Sequence, residues 1–253
     1  MANLGLLRRQ VIVLVVGVAG LPWPMADRPV PFRPGEVLVY DVSWSGFVTA
    51  GTLTSSVAER RAPDGSSTYH IVAEGRPTPL LSKVYTLYYR AETTLDARTL
   101  LPEKGSTYSE EGHRRRLKVT EFDQGKNRAR YEIRTATVVT RDLTVPTAVL
   151  DGLSAVYVLR SMSLKLGDRV TLPVCDSGKV YAVHLMVARR DSVRTPSGVV
   201  PALQVAVALT EGGRPLEGHG LELWLSDDAR HLPLRFAAGL PVGSFVLTLR
   251  RAI

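Results

Sequence analysis

The sequence of 253 residues contains one cysteine, Cys175. A single thiol excludes an internal disulfide, so the fold must rest on a hydrophobic core. Its distance from the N-terminus excludes it as a lipid-attachment cysteine. In the stretch "RVTLPVCDSG" it falls at a strand end, the place of a small semi-buried residue. Histidine is also sparse. None of His70, His113, His184, His219 and His231 is paired at metal-ligand spacing, so neither a metal nor a cofactor is implied. There is no Gly-x-Ser-x-Gly turn for a hydrolase nucleophile and no glycine-rich phosphate loop. Asp227 and Asp228 are adjacent. Neighbours on a strand point to opposite faces, so the pair suits a turn better than paired acid–base work. Nothing here marks an enzyme.

Long apolar runs are missing too. The longest lies in "MANLGLLRRQVIVLVVGVAGLPWPMADRP" and is shorter than the roughly 20 residues that span a bilayer. Its short basic start at Arg8 and Arg9, apolar middle and Pro-containing end have the three parts of a secretory signal. Residues 1–26 are therefore expected to be a signal peptide, with cleavage after Gly20 or Ala26. An uncleaved N-terminal membrane anchor is the alternative. The expected location is periplasmic or secreted. Loss of the two arginines takes the formal net charge from +8 to +6. That excess suits an anionic polymer or head group, or simply a soluble basic surface.

What the chain does have is strand signal. Residues 27–253 carry no repeat and no low-complexity linker, which predicts one β-rich domain. Strands are expected at Glu36–Trp44, Ala50–Arg60 and Thr68–Glu74, with "PDGSS" as a turn between the last two. Leu53, Ser55 and Val57 alternate onto one face. Leu80–Val84 suggests one helical turn before the aromatic-rich "YTLYYRAETTLD". The hairpin "STYSEEGHRRRLKVTEFD" is strongly charged, which a wet outer face or an edge explains, and Arg114–Arg116 with Lys118 read as a solvated edge that opposes strand aggregation. The run lacks interleaved aromatics, so no nucleic-acid partner is implied. Beyond Gly167 the punctuation DSG, TPSG, EGG and GLPVG predicts an antiparallel meander, with "LELWLSDDARHLPLRF" as two strands joined by a turn.

One helix interrupts the strands. Asp151 is a good N-cap, Ser154 an ordinary first-turn residue, and Leu153, Val156, Tyr157 and Arg160 fall at helical spacing. Leu159 and Met162 broaden the stripe. Its apolar face needs cover, and the concave side of a sheet is the surface available. The expected architecture is thus a strongly curved antiparallel sheet or open β-barrel with one packed amphipathic helix. If such a sheet curves without closing, aromatic side chains can line a groove. Trp44, Tyr85, Tyr89, Tyr157 and Trp224 are the candidates for ligand contact, with core packing as the competing role for each; Phe47 and Tyr88 belong to the same aromatic group.

Three stretches carry a resemblance. They are "FRPGEVLVYDVSWSGFVTAGTLT", "DGLSAVYVLRSMSLKLGD" and "LELWLSDDARHLPLRF". The matching positions are Pro34, Gly35, Glu36, Leu38 and Tyr40; Leu153 to Arg160; and Trp224, Asp227 or Asp228, Arg230 and Pro233. In order and spacing the chain resembles the exported bacterial domain-of-unknown-function family 3108. The resemblance implies secretion and a curved sheet with a helix, and it supplies no catalytic residue. The outline is also similar, as a fold, to open-barrel lipid carriers of the envelope. Three functions follow as expectations: an exported binder of an apolar or amphiphilic ligand such as a lipid; an envelope interaction module using the basic edge to hold a protein or anionic polymer; or a hydrolase with a site assembled across strands.

Overall fold

The computed structural model describes residues 30–44, 48–216, 220–240 and 243–253. The expected signal peptide, Phe47 and His219 lie outside the described residues. Among the described residues, fifteen strands form one sheet. The first eight are β1 (Val37–Trp44), β2 (Val48–Arg61), β3 (Ser67–Pro77), β4 (Leu87–Asp96), β5 (Pro102–Glu111), β6 (Arg114–Asp123), β7 (Arg128–Arg134) and β8 (Val138–Thr144). Those that follow are β9 (Arg169–Asp176), β10 (Lys179–Thr195), β11 (Gly198–Glu211), β12 (Arg214–Pro215), β13 (Leu221–Ser226), β14 (Pro233–Leu240) and β15 (Gly243–Ala252). A short helix, α1 (Pro79–Ser82), starts at the expected helical turn, and α2 (Gly152–Arg160) is the expected amphipathic helix.

The sheet is a meander with its ends in the middle. β1 pairs with β2 on one side and with β15 on the other, so the two halves of the chain spread outward from a shared centre. The strands β8 and β9 are the outer edges. All strand pairs are antiparallel, as the turn signals predict. Register shifts at Val39/Tyr40, Val42/Ser43, Thr94/Leu95, Val187/Arg189 and Trp224/Leu225 supply the bends that curl it.

The sheet stays open, but its edges are brought together. The stretch after β8 runs along β9: Leu150 N donates to Pro173 O at 2.9 Å and Cys175 N to Leu150 O at 2.7 Å. Lys118 Nζ on β6 donates to Ser177 Oγ beyond β9, at 2.8 Å. Ala129, Val145, Val149 and Cys175 form an apolar patch across this seam. Gly178 sits there at φ +74°, and a Cβ on it would stand 2.7 Å from Tyr131 Cδ1. Only glycine meets both demands.

Strand direction gives the barrel two distinct ends. Glu36, the β13–β14 turn and the chain's C-terminus share one end, and α2 inserts there. The main core is Tyr157, Val158 and Leu159 of α2 packed on inward side chains such as Val57, Ile71, Leu95, Leu185, Leu203 and Leu225. The helix starts where the sequence predicts. Asp151 Oδ1 accepts from the amides of Leu153 and Ser154, and Ser154 Oγ accepts from Asp151 N. Such a cap is worth about 1 kcal/mol.

Candidate functional site: a cup above the helix

The inserted helix fills one end of the barrel and leaves the other hollow. The unfilled part is a cavity of about 680 Å³, within the range of small-molecule sites. Its floor is the first turns of α2, with Asp151, Gly152, Leu153 and Val156. The apolar side of the wall comes from Leu53, Val183, Leu209, Phe236 and Leu247. These side chains remain half-buried rather than fully buried. Thr107, Lys118, Thr120 and Tyr131 form the facing side, on β5, β6 and β7.

Asp151 marks the join between floor and wall. Thr93 Oγ1 donates to Asp151 Oδ2 at 2.6 Å, and Gly105 admits the carboxylate, since a Cβ there would lie 3.0 Å from it. Desolvation pushes the Asp151 carboxyl above the usual aspartate range, against its hydrogen bonds from Thr93, Ser154 and Leu153. Desolvation also drives the Cys175 thiol up to about 11, so it stays protonated and unreactive.

The candidate aromatics separate. Tyr89 lines the cup and is partly exposed at its mouth. Trp44 stacks on Phe245 at the same end, with ring centroids 6.3 Å apart. Tyr85 is exposed there beside Gly112. Around them Leu80 and Val84 are 76% and 80% exposed, and Leu87, Val138 and Val139 also face solvent. The mouth thus carries an apolar collar. Tyr157 lies on the other side of the helix, in the core. Trp224 sits on the opposite strand face from Leu223 and Leu225. Its Nε1 donates to Asp191 Oδ2 at 3.1 Å, and Arg235 stacks over its ring at 5.0 Å.

At the filled end the quoted stretches converge. Arg160 Nη1 and Nη2 donate to Glu36 Oε1 and Oε2 at 2.7 and 3.0 Å, with side chains 0% and 2% exposed. Arg230 Nη2 approaches the same carboxylate at 3.6 Å. The Arg160 guanidinium lies 5.1 Å from the Tyr157 ring and 5.6 Å from that of Phe32, while His231 Nδ1 donates to Arg160 O at 3.0 Å. Tyr157 Oη and Ser55 Oγ share a 2.9 Å hydrogen bond. Burial raises the phenol pKa of Tyr40 and Tyr157. This cluster latches the helix into the barrel.

One expectation needs correction. The basic run Arg114–Lys118 does not lie on a sheet edge, because β6 is flanked by β5 and β7. The pleat divides it. Arg115 pairs outward with Glu110 at 3.4 Å, whereas Lys118 shares a face with Thr120 and lines the cup. The outer face of β3 to β6 holds the remaining charge ladder, including Arg90 to Glu74 at 3.0 Å and to Glu92 at 2.7 Å.

Three of the histidines have structural partners: His70 with Glu92 and Thr94, His184 with Thr171 and Thr210, and His231 with the Arg160 carbonyl. Asp228 Oδ1 accepts from Ser226 Oγ and Arg230 N, in a turn as expected. Among the described residues no group of His, Cys, Asp and Glu could hold a metal ion. No helix among them is long and apolar enough to cross a membrane.

Among solved structures, the fold is similar to a β-barrel-like protein of the domain of unknown function DUF1849 from Brucella abortus. That match has a TM-score of 0.54 at 11% identity and covers 89% of this chain and 99% of that one. A candidate lipoprotein from Parabacteroides distasonis matches at TM-score 0.35 and 10% identity, covering 90% and 100% of the two chains. A Bacteroides fragilis protein with a YmcC-like fold matches at 0.34 and 12%, covering 88% and 98%. No curated protein matches the sequence. The sequence profile of the family described as "Protein of unknown function (DUF3108)" matches residues 39–250, and the chain belongs to that family.

Proposed function

We propose that this chain is an exported, non-enzymatic binding protein that holds an apolar or amphiphilic ligand in the cup above α2. The observation that carries this reading is the cavity of about 680 Å³ whose inward apolar side chains are left uncovered by the helix. Leaving Leu53, Val183, Leu209, Phe236 and Leu247 in contact with water is unfavourable by about 25 cal/mol per Å² of apolar surface. A ligand that covers them recovers that term. The collar of Leu80, Val84, Tyr85 and Leu87 supports entry of an apolar guest at the mouth. The N-terminal signal pattern supports export. The structural partners of His70, His184 and His231, and the high pKa of the Cys175 thiol, favour binding over catalysis.

Native mass spectrometry of the mature protein, purified from the periplasm without detergent, tests the reading. Added mass that is extractable into organic solvent is expected. A bare polypeptide mass, together with no uptake of added acyl compounds, would contradict it.

A further inference from the structure

The cup has two unlike walls, and the difference is set by strand register. On β5, β6 and β7 the pairs Thr107–Lys118 and Thr120–Tyr131 place polar side chains inward. The opposite wall, from β10 through β15 and β2, is aliphatic and aromatic. One cation, Lys118, lines the polar wall, and a second, Arg116, follows it toward the mouth. Lys118 Nζ is hydrogen-bonded to Ser177 Oγ at 2.8 Å and, among the described residues, makes no ion pair. Arg116 lies two residues nearer the mouth on the same strand face, opposite Ser109, and is half-buried. Among the described residues it makes no ion pair, whereas its outward neighbour Arg115 pairs with Glu110. Asp176 also lines the cup, but its recorded link to Lys118 is indirect: Ser177 Oγ donates in turn to Asp176 Oδ2 at 3.0 Å.

From this arrangement we infer that the ligand is an anionic amphiphile, with a carboxylate or phosphate head group bound by Lys118 and Arg116 and its chain laid along Leu53, Phe236 and Leu247. The inference rests on the cup being a binding site and specifies what the site takes. Half-buried cations that make no direct ion pair gain from an anion that replaces water, because charge-assisted hydrogen bonds strengthen as solvent is excluded. The only polar side chain the opposite wall offers is the Tyr181 phenol, which carries no charge to hold a second ionic head group. The chemistry therefore selects one charged end and one apolar chain.

Isothermal titration with three probes tests the assignment. Oleate and monooleoyl phosphatidate represent the two sources of an anionic head group, and oleyl alcohol is the neutral control. At least one anionic probe is expected to bind about tenfold or more tightly than the alcohol. The double variant Arg116→Gln with Lys118→Gln should lose that preference while still binding the alcohol, and Arg115→Gln should keep it. The tighter of the two anions identifies the source. Equal binding of anions and alcohol by the natural chain, or a preference that survives in the double variant, overturns the inference and leaves the cup intact as an apolar site. Binding of none of the three overturns the cup reading itself. Circular dichroism and a urea unfolding curve on each variant separate lost binding from lost folding.

Discussion

The two ends of the barrel are built on opposite terms. At the filled end the groups packed around the helix are enclosed: Arg160 and Glu36 form a bidentate pair, Tyr157 and Phe32 stack edge to face at 5.0 Å, and Leu225 and Val158 reach zero exposure. At the hollow end the same inward strand positions are occupied by apolar side chains that no helix covers and that stay half-buried. The residues that make the chain recognisable, from Glu36 through Arg160 to Arg230, hold the helix in place. The residues that shape the cup carry no motif. The resemblance thus reports how the barrel is plugged.

The comparison breaks first at the latch. Arg160→Ala or Glu36→Ala alone leaves a buried charge without its partner and should cost about 3–5 kcal/mol, read as a lower urea midpoint. The joint replacement Glu36→Leu with Arg160→Met removes both charges and should be clearly more stable than either single variant. A joint loss equal to the sum of the single losses would mean that the pair does not act as a unit. The seam comes next. Gly178→Ala places a Cβ against Tyr131 at a positive φ, and a cost of about 1–3 kcal/mol is expected by the same assay.

Asp151 belongs to both ends, since it caps the latch helix and forms the floor of the cup. Asp151→Ala should cost about 1 kcal/mol through the lost cap. Asp151→Asn keeps the cap and removes the charge. A carboxyl raised by burial in the folded state favours folding at low pH, and that contribution fades as pH rises through the folded pKa. The stability of the Asn variant relative to the natural chain should therefore rise between pH 4 and pH 7 in paired unfolding curves. A difference that stays flat across that interval would place the carboxylate in contact with water. The smallest effect is expected outside the barrel. Arg115→Glu disrupts one exposed ion pair, and its unfolding free energy should change by less than about 0.5 kcal/mol.

Much of the fold was legible because its signals are local. The DSG and TPSG turns, the alternation of Leu53, Ser55 and Val57, and the Asp151 cap each sit within a few residues, and each element formed where expected. The latch was not legible, because Glu36 and Arg160 stand 124 positions apart and neither residue announces its partner. The basic run was misplaced for a related reason. A strand is an edge or an interior member according to pairings that its own sequence does not record. The cup was hardest to see. Alternation identifies Val183 or Leu247 as inward-facing, but whether an inward side chain is covered depends on how far a nine-residue helix reaches into the barrel. Of the aromatic candidates, Tyr89 lines the cup, Trp44 and Tyr85 stand at its mouth, and Tyr157 and Trp224 lie apart from it.

Titration of oleyl alcohol into the natural chain and into Val183→Trp tests the central claim most directly, because the probe has no charge and the indole would occupy the cup. The account predicts measurable binding by the natural chain and at least about a tenfold loss in the variant, about 1.4 kcal/mol, with an unchanged unfolding midpoint. Equal affinity in the two proteins would show that the alcohol binds elsewhere, and the cup would lose its assigned role.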